Sequence, residues 1–201
     1  MIDMVVEKGK KMKTGLLLID MQNDYFEGGK NRLYHSEEAA ENAAKLIEFF
    51  RRKKMPVYHV QHVNQSVTAK FFQEGTAGAE IYAVVVPEGT EHITIKHFPD
   101  SFYQTDLQET LNRDEIQDLV VCGMMTHMCV DTTVRAAKNY GFRITLFEDA
   151  CATKNLIWNG EKIEAGRVNA IYMASLEVMF ATIEKTGECL SLLDEIVNTE
   201  K

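Results

Sequence analysis

From Thr14 onward, apolar runs of strand length alternate with amphipathic stretches of helical period, and a chain with that alternation has few ways to bury both kinds of segment. Strands that are apolar on both faces need a helix layer over each face, which an α/β domain built on a parallel sheet supplies. Residues 15–19 read as a buried first strand, followed by a turn-rich segment with Asn23-Asp24 and Gly28-Gly29. Ser36 is a good N-cap for a helix carrying Ala39, Ala43, Leu46, Ile47 and Phe50 on one face, with the basic run 51–54 at its negative end and Pro56 closing it. Further strands are expected at 57–63, 92–96, 119–123, 143–147 and near 178–183. Thr105 to Gln108 has the pattern of a capping box opening a short helix, residues 126–140 read as a helix ended by Gly141, and a last helix is expected over about 162–176. The mixed connection 64–89 is long enough to be a lid or binding loop.

Composition narrows the class. With 201 residues, 45% hydrophobic and 26% charged, one sizeable core fits, and neither an internal repeat nor a domain boundary is evident. The expectation is a single domain over 1–201, with 1–13 a mobile N-terminal segment. The net charge of −8 is spread along the chain and argues against a nucleic-acid partner, which would need a clustered basic face. The one basic cluster, Lys8, Lys10, Lys11 and Lys13, precedes an apolar stretch that Asp20 interrupts after four residues. A secretory core needs about 7–15 apolar residues and a membrane span roughly 18, so neither is expected and the cytoplasm is the expected address. Cys122, Cys129, Cys151 and Cys189 form no Cys-x-x-Cys pair and no disulfide framework, and read as reduced thiols.

Open parallel sheets bind ligands beyond the carboxyl ends of their strands. Asp20 ends the first strand, Lys96 ends the third, and Cys129 follows the fourth by six residues. Thr126 as N-cap would put Cys129 at the third helical position, where free N–H groups and the helix dipole favour a thiolate and can hold an oxyanion. Taken singly, each residue has a plainer use: Cys129 packed beside Val130 and Val134, Asp20 in its own turn, Lys96 as a solvated strand end. Jointly they suit one task, because a carboxylate can take a thiol proton while an ammonium stabilises both anions.

These residues stand in blocks that resemble the isochorismatase-like cysteine hydrolases. Leu16-Leu-Leu-Ile-Asp20-Met-Gln22-Asn-Asp-Tyr25 is similar to the family's opening signature, Lys96-His-Phe-Pro-Asp-Ser101-Phe102 to its lysine block, and Val121-Cys-Gly123-Met-Met-Thr-His-Met-Cys129 to its nucleophile block. The resemblance implies a three-layer αβα fold with a six-stranded parallel sheet in order 3-2-1-4-5-6, assembled as a homodimer or homotetramer. It implies Asp20, Lys96 and Cys129 as catalytic residues, a cis Met124–Met125 peptide, and an oxyanion hole from the N–H groups of Met125 and Cys129. Cleavage of an amide-type C–N bond in a small-molecule substrate through a thioester is expected, with no cofactor. Gln22, Phe26, Phe71, Phe72 and Phe102 are candidates for substrate contact, although packing is an equal use for the aromatic residues.

Two departures from the family pattern bear on the chemistry. Tyr25 stands where phenylalanine is usual, which adds a hydroxyl at the pocket wall or shifts packing onto Phe26. Metal-dependent nicotinamidases carry Asp-x-His after the second strand, whereas this chain has His59-Val-Gln-His62, so no metal is expected. Family members that cleave a vinyl ether generally lack the cysteine, which is retained here. Alternatives are a nicotinamidase specifically, an isochorismatase-type ether hydrolase, and a thiol redox protein in which Cys122 or Cys151 resolves an oxidised Cys129. A nucleotide-binding module is disfavoured because no glycine-rich phosphate loop follows the first strand. Cys122, Cys151 and Cys189 are otherwise expected to be inert.

Overall fold

The computed structural model describes residues 13–187. Cys189 and all of the N-terminal segment except Lys13 therefore lie outside the described residues, while Lys13 itself opens the first strand. Strands β1 (Lys13–Ile19), β2 (Val57–His62), β3 (His92–Lys96), β4 (Ile116–Met124), β5 (Arg143–Ala152) and β8 (Thr182–Glu184) form one sheet in order β3-β2-β1-β4-β5-β8, every pair parallel. Counted within the sheet this is the expected 3-2-1-4-5-6. The numbering gap is filled by an unexpected antiparallel hairpin, β6 (Leu156–Trp158) with β7 (Glu161–Ile163).

Helix α1 (Ser36–Arg52) covers one face, packing Ala39, Ala43, Leu46, Ile47 and Phe50 against Leu16 and Leu18. Helices α2 (Leu107–Arg113), α3 (Asp131–Asn139) and α4 (Ala165–Glu177) bring Leu107, Leu111, Val134, Ala137, Met173 and Leu176 to the other face, against Leu17 and Ile19. Residues 16–19 are thus buried from both sides, each side chain contributing about 1.5–3 kcal/mol of hydrophobic stabilisation. Among the described residues no helix is long and apolar enough to cross a membrane.

Several boundaries differ from expectation for local reasons. Ser36 is the first residue of α1 rather than its cap; His35 precedes it in a left-handed conformation, and the Ser36 hydroxyl donates to the Leu33 carbonyl. At α2 the cap position is Asp106, and the Thr105 hydroxyl donates to the Ser101 carbonyl at 2.6 Å. The sixth strand starts at Thr182, not 178, because the N–H groups of Phe180 and Ala181 turn back to the Leu176 carbonyl, closing α4 and leaving Val178 and Met179 exposed. Lys162, expected in the last helix, belongs to β7.

Candidate active site

The carboxyl ends of β1, β2, β3 and β4 meet at one place. Immediately after β1, Asp20 adopts a left-handed conformation (φ 51°) that an aspartate tolerates better than most side chains, and the chain turns there. Its N–H donates to the Val60 carbonyl and its carbonyl accepts from the Gln22 N–H, both at 3.0 Å. Lys96, the last residue of β3, is fully buried and places Nζ 2.9 Å from Asp20 Oδ2 while donating to the Pro99 carbonyl at 2.8 Å. Asp20 is equally buried, and its carboxylate is a hydrogen-bonding neighbour of both the Lys96 ammonium and the Cys129 thiol.

At the end of β4, Gly123 (φ 141°) lies against β1 so closely that a Cβ would come within 2.2 Å of the Ile19 carbonyl oxygen. Only glycine allows that approach. The Met124–Met125 peptide that follows is cis. Residues 126–130 then form a single π turn before α3, so Cys129 lies in a wider turn than an ordinary helix start. Thr126 does not cap: its hydroxyl donates to Asn169 Oδ1 at 2.7 Å and lies 3.3 Å from the Ala152 carbonyl oxygen, tying the turn to α4 and β5. Ser101 holds the lysine block to α3, its N–H donating to Thr133 Oγ1 at 3.1 Å and its hydroxyl lying 2.8 Å from the same oxygen.

The Cys129 sulfur, an Asp20 carboxylate oxygen and a His62 ring nitrogen all lie within 4.8 Å of one another. Burial pushes the Cys129 thiol well above its ordinary value, the Asp20 charge adds to this, and Lys96 opposes it. Desolvation and the facing carboxylate act against the help that the turn's N–H groups and the ammonium give a thiolate, and favour the thiol. Lys96 stays protonated: burial alone would lower it, but the Asp20 and Cys129 charges turn the balance upward. His62 is lowered by burial, with Lys96 and His97 adding and Asp20 and Asn64 opposing, so it is neutral near pH 7. Asp20, His62 and Cys129 are also the one grouping of possible metal donors among the described residues. The Lys96 ammonium already supplies a positive charge at that carboxylate.

The other candidates are placed as follows. Gln22 is fully buried, its amide donating to the carbonyls of His62 (2.8 Å) and Ala79 (2.6 Å) and accepting the His62 N–H (2.8 Å), so both amide hydrogens serve the scaffold. Phe26 stacks on Tyr82 at 3.6 Å within the α1-side core. Phe102 packs with Tyr140 and Phe142 in the core on the opposite face, the one that also contains Cys129. Phe71 and Phe72 contact each other and Tyr25, and the Phe72 N–H donates to Asp24 Oδ2 at 2.6 Å, fixing part of the 64–89 connection to the first signature. Tyr25 faces the centre: burial raises its phenol first, and the charges of Cys129 and Asp20 next. Of the two β2 histidines, His59 instead pairs with Glu91 at 3.0 Å on the α1 side. His62 and Tyr25 are the residues that strand-end reasoning did not assign to the centre.

The sequence model of the Isochorismatase domain matches residues 14–183. The chain belongs to the isochorismatase family. This isochorismatase-family hydrolase is 46% identical over 175 residues to the isochorismatase family protein YddQ of Bacillus subtilis, a match covering 87% of this chain and 97% of that one. It is 31% identical over 154 residues to Nicotinamidase 3 of Arabidopsis thaliana, covering 71% and 74% of the two chains. The crystal structure of an isochorismatase from Pseudomonas putida superposes with a TM-score of 0.83 at 35% identity, covering 87% of this chain and 89% of that one.

Proposed function

We propose that this hydrolase cleaves an amide-type C–N bond of a small molecule, with Cys129 as nucleophile, Asp20 as proton carrier and Lys96 as the fixed positive charge. The reading rests on the convergence of a buried ammonium, carboxylate and thiol from three separate segments. Asp20 takes the thiol proton as the sulfur attacks the substrate carbonyl, and the N–H groups of Met125 and Cys129 receive the developing oxyanion. The protonated carboxyl then passes its proton to the departing amine, leaving a thioester. Water then adds to the thioester carbon, a base of the site takes its proton and returns it to sulfur as the C–S bond breaks, and the acid and the free thiol are released. The likeness to a nicotinamidase supports an amide among the possible bonds. The thiol-redox alternative loses support from Cys122, which packs on the α1 side of β4, whereas Cys129 packs on the other.

A hydrolysis screen over small primary amides, ureido acids and lactams, including nicotinamide, run on wild type and Cys129→Ala in parallel, tests the reading. Turnover of at least one amide by the wild type and its loss in the variant is the expected result. Substantial turnover by Cys129→Ala would remove the covalent route.

A further inference from the structure

We propose that His62 is a second acid–base group of this site, accepting the proton of the water that hydrolyses the thioester on Cys129. The inference deepens the cysteine-hydrolase reading and rests on it. The imidazole nitrogen lies no more than 4.8 Å from Sγ, so a water hydrogen-bonded to that nitrogen at about 2.8 Å is within reach of the carbonyl carbon bound to sulfur.

The scaffold aims His62 as carefully as it aims the three family residues. Its N–H and carbonyl are both gripped by the Gln22 side chain, two residues beyond Asp20. On the other flank the Val63 N–H donates to the Lys96 carbonyl at 2.9 Å, and the Val63 carbonyl lies 2.7 Å from His97 Nδ1. The backbone at His62 and Val63 is thus held by the segments that carry Asp20 and Lys96. The Asn64 side chain hydrogen-bonds to the ring. Its amide nitrogen is turned to the Phe71 carbonyl at 2.9 Å, so its oxygen is left to accept the ring N–H, and the other ring nitrogen keeps a free lone pair.

The step balances. As the water oxygen bonds to the thioester carbon, its proton goes to the neutral imidazole. The C–S bond then breaks with its electron pair on sulfur, and the imidazolium returns the proton to the thiolate. Acid product and free thiol result, and no oxidant or metal is consumed. A neutral imidazole is the better base toward water near pH 7, since its conjugate acid titrates closer to that pH than a carboxylic acid does.

The test uses p-nitrophenyl acetate as acylating probe on wild type, Cys129→Ala, His62→Gln and His62→Ala, following p-nitrophenolate release and the acetyl mass on the Cys129 peptide. Expected is a burst near one equivalent in wild type and both His62 variants, with the slow phase reduced about 100-fold in the variants, within the usual range for a lost acid–base group. Added imidazole should restore deacetylation in His62→Ala. The wild-type deacetylation rate should rise with pH through the His62 titration, set against Asp20, Lys96, His97 and Cys129, and this inflection should be missing in His62→Gln. Deacetylation at the wild-type rate in both His62 variants, with acylation intact, overturns the inference alone. A wild type that carries no acetyl group on Cys129 overturns the nucleophile assignment beneath it.

Discussion

Replacing Asp20 with asparagine keeps the shape of the β1 end and removes one charge, which leaves the Lys96 ammonium fully buried with the Pro99 carbonyl as a neutral partner. Breaking a buried ion pair from one side costs about 3–5 kcal/mol. An independent ceiling follows from the lysine's ability to shed its proton: at pH 7, neutralising an amine with an ordinary value near 10.4 costs about 1.4 kcal/mol per pH unit, or roughly 4.6 kcal/mol. The two routes agree, and for a chain of this size each kcal/mol lowers the melting temperature by about 2–4 °C, so Asp20→Asn should melt roughly 6–18 °C below wild type. Replacing both partners, Asp20→Asn with Lys96→Met, should recover most of the loss because no unpaired charge remains. The pH dependence separates the cases further. In wild type Lys96 is raised above its unfolded value, so its contribution is complete below about pH 10.4 and is lost as pH climbs through the folded value. In Asp20→Asn the buried lysine falls below its unfolded value, the unfolded chain binds the extra proton, and stability rises as pH approaches about 10.4 from below, a range over which the wild-type contribution is flat. Urea unfolding at a series of pH values from 7 to about 10.5 reads the rise in the variant against the flat Lys96 contribution in wild type. Equal stability of Asp20→Asn and wild type at pH 7, or parallel slopes, would refute the account of a buried, mutually dependent pair.

Because burial and Asp20 hold Cys129 as a thiol, its alkylation by iodoacetamide in the unliganded protein should keep rising with pH beyond the ordinary thiol value near 8.5, as read by peptide mass mapping. A plateau below pH 7 would mean a resting thiolate. Cys122, raised by burial, and Cys151, pushed up to about 12 mainly by burial, should stay unmodified until the fold opens. Gly123→Ala places a methyl group 2.2 Å from the Ile19 carbonyl oxygen at a φ that disfavours alanine, and should cost more than about 3 kcal/mol. Gly166→Ala, with open space around it in α4, is the matched control and should be neutral or stabilising; comparable melting temperatures for the two variants would contradict the close approach.

The strands themselves were legible as apolar runs of strand length, with Asp20 and Lys96 as polar residues at the ends of two of them, whereas their order in the sheet was implied by the resemblance of the three blocks. What escaped depends on contacts between distant segments or on finer turn chemistry. His59 and His62 look equivalent in the string, yet an offset of three puts them on opposite sides of a strand. The His62 ring meets Asp20 and Cys129, and the Gln22 amide, reaching across from the β1 end, holds its backbone there. Thr126 carries the right chemistry for a cap, but its hydroxyl is drawn to Asn169, 43 residues away. The β6–β7 hairpin did have a local signal, Asn159-Gly160 with both φ positive (49° and 80°), the two-residue turn that hairpins favour; the helical reading of 162–176 ran across its second strand.

The resting thiol follows from the same charge balance that makes the centre stable. Lys96 and Asp20 already neutralise each other where water is excluded, so a thiolate formed by losing its proton to solvent would leave a net negative charge in a low-dielectric space. Moving the proton from Cys129 to Asp20 adds no charge. It exchanges a carboxylate and a thiol for a carboxyl and a thiolate, with the ammonium facing whichever anion is present. Burial thus penalises ionisation of the thiol into bulk water far more than proton transfer within the site. Nucleophilicity on this argument is acquired as a carbonyl arrives to receive the sulfur's electrons, and not held in advance.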